Sequence, residues 1–147
     1  MEITLSRVND RVHFVGRNPE GNEIHIDGAP SVGGEEAGFR PMQLLLAALA
    51  ACASTDLSDI LRKQRAGLVQ LEIVASGERA DAVPAPFTAI HLHFKLYGGV
   101  DRAKAERALD LAVNKYCSVG EMLRKAAPIS YDYEILPAEA IGPVGSV

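Results

Sequence analysis

The run Leu44-Leu45-Leu46-Ala47-Ala48-Leu49-Ala50-Ala51-Cys52-Ala53 places no charged or hydrogen-bonding polar side chain on any face of a helix. Pro41, just upstream, suits a first helical turn. From Met42 to Ala53 only Gln43 breaks the apolar surface. The helix then becomes amphipathic, with Leu57, Ile60 and Leu61 set against Asp56, Asp59, Arg62 and Lys63, and Gly67 is the expected stop. A helix that is apolar all round has to be covered all round. One curved sheet covers one face. The alanines leave thin flanks that let a second backbone approach. The economical solution is an obligate homodimer with two such helices at its centre, wrapped by sheets from both chains. A monomer would leave a large apolar patch in water. Ten consecutive apolar residues fall short of the roughly 18 that a membrane span needs, so no membrane association is expected.

A chain of 147 residues suits one domain, here taken as residues 1–147 with a loose Pro-, Gly- and Ala-rich tail over 137–147. Hydrophobic residues at 48% and charged residues at 23% are globular proportions and exclude disorder. A net charge of -4 gives no electrostatic reason to bind nucleic acid. Two cysteines exclude a disulfide-rich secreted scaffold, and with four widely spaced histidines they exclude zinc-finger patterns. The N-terminal Met-Glu-Ile-Thr-Leu-Ser-Arg has no basic stretch followed by an apolar run, so no cleaved leader is expected. The expected compartment is the cytoplasm, where thiols stay reduced unless they do redox chemistry.

Alternation at Ile3/Leu5, Val12/Phe14 and Ile24/Ile26, separated by Asn9-Asp10 and Asn18-Pro19-Glu20-Gly21, predicts a three-stranded antiparallel meander. Residues 28–39 read as a flexible glycine-rich connection. After the long helix come strands over Val69–Glu78 and Phe87–Tyr97. The second of these has Ile90, Leu92, Phe94 and Leu96 on one face and His91, His93 and Lys95 on the other. Asp101 caps a helix through about Lys115. Ser118-Val119-Gly120-Glu121 reads as a capping box for a helix over Val119–Ala126. Ile129–Leu136 closes as a strand. The order βββ-α-ββ-α-α-β is an α+β arrangement.

No dinucleotide fingerprint, P-loop, nucleophile elbow, HExxH or CxxC is present. His91 and His93 share a strand face, and His25 is the one further histidine placed on a strand. Three imidazoles without a visible further ligand or supporting shell do not make a metal site, so none is expected. Read alone, Cys52 and Cys117 are each an ordinary small buried hydrophobe.

Together their contexts say more. Pro41-Met42-Gln43-Leu44-Leu45-Leu46-Ala47-Ala48-Leu49-Ala50-Ala51-Cys52, followed by Asp56 and Ile60-Leu61, resembles the cysteine helix of the OsmC/Ohr family. Asn114-Lys115-Tyr116-Cys117-Ser118-Val119 is similar to that family's second cysteine motif. Phe14-Val15-Gly16, Ile24-His25-Ile26-Asp27-Gly28, Glu78-Arg79, the strand from Pro86 to Phe94 and the strand over 129–135 extend the likeness to residues 3–136, nearest the YhfA-like branch. The resemblance implies antiparallel sheets around long central helices in an intertwined homodimer. It also implies thiol peroxidase chemistry: Cys52 attacks a hydroperoxide and becomes a sulfenic acid, Cys117 resolves it as a disulfide, and an external dithiol, lipoyl-type in the best understood branch, reopens the bond. No bound cofactor is implied.

Burial among alanines and leucines would raise the pKa of Cys52, so a cation has to favour its thiolate. The family uses an arginine from the N-terminal strands, oriented by a glutamate. Arg17 is the positional candidate, with Arg7 and Arg11 as alternatives. The glutamate position holds Met42, which implies slower peroxide reduction. Met42, Gln43 and Leu49 are candidate substrate-contacting residues, and their apolar company favours organic over small peroxides. The competing expectations are a non-catalytic or redox-sensing protein of the same fold that holds a hydrophobic molecule at a dimer interface, and a cysteine hydrolase with His91 or His93 as base.

Overall fold

The computed structural model describes residues 1–142. The chain divides into two compact units, Met1–Leu45 and the residues from Leu46 onward. The first unit holds strands β1 (Thr4–Arg7), β2 (Phe14–Arg17) and β3 (Glu23–Ile26), in the order β1-β2-β3, all antiparallel. This is the meander read from the sequence.

The glycine-rich connection is not loose. Asp27 is 1% exposed. Its carboxylate accepts backbone N–H bonds from Gly28 at 2.8 Å, Glu35 at 2.9 Å and Ala37 at 3.0 Å. The loop contains a 3₁₀ turn at Pro30–Val32 and returns so that Phe39 bridges Ile26. Gly38 makes the return possible, because a Cβ there would stand 2.4 Å from the carbonyl carbon of His25. The three N–H donors hold the Asp27 carboxyl below the usual carboxylate range, with the Ala37 bond the largest contribution. A depressed carboxyl pKa stabilises the fold above the unfolded value, near 3.8, and that contribution fades as pH falls through the folded value. Asp27→Ala should therefore free the loop. Amides of Glu35 and Ala37 should exchange at least about tenfold faster, which hydrogen exchange measures, and the acid limb of the stability profile should flatten.

Helix α1 (Pro41–Lys63) starts where expected. Pro41 opens it, and Gln43 Oε1 accepts from the Arg40 N–H at 2.9 Å, one arm of a capping box. It stops four residues before Gly67. Arg65 takes a left-handed conformation at φ 47°, and the Ala66 N–H closes a bond to the Leu61 carbonyl at 3.0 Å. That is the six-to-one closure of a helix end, with buried Ala66 in place as its apolar contact. Arg62 and Lys63 complement the last turn and both pair with Asp59 at 2.6 Å. By length and composition α1 could cross a membrane, a property that the ten-residue run alone does not reveal.

In the second unit β4 (Leu68–Arg79), β5 (Phe87–Gly98) and β6 (Ile129–Leu136) form a sheet in that order. β5 is antiparallel to β4 and parallel to β6. The parallel edge departs from the wholly antiparallel expectation. Its cause is the crossover from 99 to 128, long enough to carry the chain back to the starting end of the sheet. Leu49, Ala53, Leu57 and Leu61 of α1 are buried, as are Ile90, Leu92, Phe94 and Leu96 of β5. Phe94 is fully buried and meets Tyr131 edge-on, with ring centroids 6.2 Å apart. Phe94→Ala should cost about 3–5 kcal/mol and lower Tm by roughly 10 °C in a thermal melt.

Asp101 caps α2 (Arg102–Asp110), accepting from the Lys104 N–H at 3.0 Å. The helix does not run on to Lys115 in α form: Leu111–Tyr116 is a π-helical turn. Helix α3 (Ser118–Leu123) is shorter than the sequence suggests, and its N-cap is Cys117 rather than Ser118. Beyond β6, Ala138–Ala140 forms a 3₁₀ turn within the segment read as a loose tail, and residues 143–147 of that tail lie outside the described residues.

Candidate active site

Leu49, Cys52 and Asp56 stand at i, i+3 and i+7 of α1 and so share one side of it. Leu49 is 1% exposed, while Cys52 and Asp56 are half-buried. Cys117 approaches from the start of α3. It is buried and extended, with φ -66° and ψ 100°. Its sulfur accepts the Gly120 N–H at 3.2 Å, the role a serine or aspartate oxygen plays at an ordinary N-cap. Gly120 permits this seat. A Cβ there would lie 3.2 Å from Cys117 Sγ and 3.6 Å from Leu49 Cδ1.

Both thiols are free, and Cys117 is within hydrogen-bonding reach of Cys52. Burial pushes the Cys117 thiol up to about 11. The Gly120 N–H pulls the other way, and the Cys52 sulfur and the Asp56 carboxylate add to the rise. At neutral pH only about one Cys117 in 10⁴ is ionised. The two cysteines are thus neighbours with unequal access: one half-open, the other buried and protonated.

The π-turn before Cys117 is braced from α3. Arg124 Nη2 donates to the Val113 carbonyl at 3.0 Å and to Asn114 Oδ1 at 3.4 Å. Asn114 also donates to Asp110 at 2.8 Å. The wider π pattern spares carbonyls from the ladder, and the guanidinium takes one of them. Arg124, Gly120 and Asp56 are site-building residues that the sequence reading leaves without a role. Arg124, seven residues past Cys117 in a short helix, could have been flagged as a reach-back partner. The value of Gly120 shows only once Leu49 is known to face it.

Arg17 lies in the first unit, where its Nε donates to Glu23 Oε1 at 2.6 Å across the Arg17–Glu23 register pair. Of the alternatives, Arg11 pairs with Glu35 at 3.4 Å and Arg7 ends β1. Met42 is half-buried. Gln43 is exposed and committed to the helix cap. Leu49 is a core side chain that touches the seat of Cys117.

His25 pairs with His13, Nδ1 to Nε2, at 2.9 Å. His91 and His93 meet carboxylates on β6: His91 Nε2 with Asp132 at 3.2 Å, His93 Nδ1 with Asp132 at 2.5 Å, and His93 Nε2 with Glu134 at 3.2 Å. Asp132 and then Glu134 raise the His93 pKa. That stabilisation is complete below the unfolded value of 6.5 and is lost as pH rises through the folded one. Among the described residues, no three His, Cys, Asp or Glu side chains gather as a metal-ligand set.

An α+β chain in which a long helix sets one free thiol against a second, buried one defines a two-cysteine protein of the thiol-redox type. The family model for OsmC-like proteins matches residues 33–132, and the chain belongs to the OsmC/Ohr family. It is 38% identical over 126 residues to protein YhfA of Escherichia coli strain K12, covering 85% of this chain and 91% of that one. An OsmC-like protein from Mycoplasma pneumoniae superposes with a TM-score of 0.78 at 18% identity, over 92% of this chain and 96% of the other. The organic hydroperoxide resistance protein OhrB of Bacillus subtilis does so with a TM-score of 0.65 at 19% identity, over 91% and 98%. At these identities the two structures speak to the fold. Family membership points to a redox or peroxide-related role.

Proposed function

We propose that the chain is a thiol-dependent peroxidase for organic hydroperoxides that serves oxidative-stress defence. It acts as a single-domain homodimer in the cytoplasm, with Cys52 attacking and Cys117 resolving. The observation that carries this reading is the facing pair of free thiols in unequal environments. The half-open Cys52 can meet a substrate, whereas the buried Cys117 can meet little besides Cys52.

The Cys52 thiolate attacks one peroxide oxygen and the O–O bond breaks. The alkoxide takes a proton and leaves as the alcohol, and Cys52 is left as a sulfenic acid. Cys117 then forms the S–S bond, and the hydroxyl leaves with the Cys117 proton as water. An external dithiol, of lipoyl type, restores both thiols by exchange and is itself oxidised. No bound cofactor is needed.

Arg17 is the proposed cation for the thiolate. Glu23 gives its guanidinium a carboxylate partner on the neighbouring strand, where Met42 offers none. Met42 and Leu49 would contribute apolar contacts for an alkyl peroxide, with Gln43 at the helix start. The test is consumption of cumene hydroperoxide and hydrogen peroxide with dihydrolipoate as reductant. Faster turnover of the organic substrate supports the reading. A protein inert to both peroxides overturns it and leaves a binding role on the same fold.

A further inference from the structure

The side of α1 that carries Cys52 also carries Asp56, one turn further on. Cβ atoms at i and i+4 lie roughly 5–6 Å apart. Cys117 is seated against this same side, since the helix it caps touches Leu49 through Gly120. The cations that follow on α1, Arg62 and Lys63, are both taken by Asp59. The hydroxyls beside Asp56, on Ser54 and Thr55, turn back to the carbonyls of Ala50 and Ala51. The half-buried carboxylate is thus left facing the thiol pair.

We propose that Asp56 is a positioning residue that assigns the two thiols their roles: it keeps the proton on Cys117 while Cys52 is reduced, and oxidation of Cys52 loosens that hold. This deepens the peroxidase reading and rests on it for the order of events.

In the reduced protein the Cys117 sulfur faces two groups that carry or acquire negative charge, Cys52 and Asp56. A second anion between them is opposed, so the first proton to leave the pair comes from Cys52. This makes Cys52 the attacking sulfur. When Cys52 becomes a sulfenic acid its negative charge is gone. Only burial and Asp56 still oppose ionisation of Cys117, and the Gly120 N–H, 3.2 Å away, favours it. The Cys117 sulfur then attacks the Cys52 sulfur. The S–S bond forms, the S–O bond breaks, and water carries off the hydroxyl and the Cys117 proton. Both oxidising equivalents came from the hydroperoxide, so no further oxidant enters.

The experiment is competitive alkylation of the reduced protein with substoichiometric iodoacetamide at pH 8, with each cysteine peptide quantified by mass spectrometry. Wild type should label mainly at Cys52. Asp56→Asn keeps the shape and removes the charge. It should raise the Cys117 share by about three- to tenfold, as a half to one unit of thiol pKa gives. Cys117 should also label faster in Cys52→Ser/Asp56→Asn than in Cys52→Ser alone. Asp56→Glu keeps the charge and should retain the wild-type ratio. An unchanged ratio in Asp56→Asn overturns the proposal, and so does an Asp56→Glu protein that behaves like Asp56→Asn, because packing rather than charge would then be at work. Alkylation uses no peroxide. A protein inert to hydroperoxides still returns the ratio, and an active peroxidase with an unmoved ratio sinks the Asp56 role alone.

Discussion

Cys52→Ser is expected to reduce hydroperoxide consumption to background, while Cys117→Ser should complete one turnover and stop with a trappable sulfenic acid. The division follows from access. The buried Cys117 sulfur is about 11 in pKa and presents almost no thiolate at neutral pH, so it cannot substitute for Cys52 as the attacking group. Without Cys117 the oxidised Cys52 has no neighbour to condense with. Dimedone labelling with intact mass measurement should then find one sulfenic acid per Cys117→Ser chain, and in wild type a disulfide that dihydrolipoate reopens. Full multi-turnover activity in both single variants would mean that the thiols are not the reacting groups.

The second large effect concerns assembly. Only 22% of the most apolar 18-residue stretch of α1 is buried within one chain, and Leu45, Ala47, Ala48 and Ala51 are exposed on it. Leaving that surface in water is costly, and two copies packed through their alanines remove it. Sedimentation should give a dimer down to nanomolar concentration. Ala48→Arg should weaken it by roughly 3–5 kcal/mol, a few hundredfold or more in dissociation constant, because the guanidinium would be buried without a partner. A folded wild-type monomer at nanomolar concentration would refute the assembly, and the apolar surface of α1 would then need another cover.

Much of the fold was legible because its signals are local. Pro41 and the apolar run mark the start of α1, and strict alternation from Ile90 to Leu96 marks the β5 core face. What the sequence hid depends on partners far along the chain. Asp27 in a glycine-rich stretch looks like a solvated turn residue until the N–H groups of Glu35 and Ala37 are brought to it. The parallel direction of β6 is set by a thirty-residue crossover rather than by any residue in the strand. At the site, the cysteine contexts identified the pair. The cap made by Cys117 displaced a serine that fits the capping-box pattern better on paper, because the sulfur, not the hydroxyl, lies over the Gly120 N–H. The missing carboxylate at Met42 drew attention to one helix position, whereas the partner of Arg17 sits across the strand pair at Glu23. Register decides that, not sequence spacing.

The π-turn at Leu111–Tyr116 amounts to one residue spliced into a helix. Each residue of an α-helix advances the azimuth by about 100°. Deleting one residue between Asn114 and Tyr116 would let the chain continue as ordinary α-helix, with Leu109, Ala112 and Val113 still in the core. It would also swing everything downstream through nearly a third of a turn and carry the Cys117 sulfur off the line of Cys52. Insertion and deletion at this point would thus reposition a thiol without touching the spacing of the hydrophobic residues that hold the helix in place. A single codon would separate a chain that can close the sulfur–sulfur bond from one of the same fold that cannot.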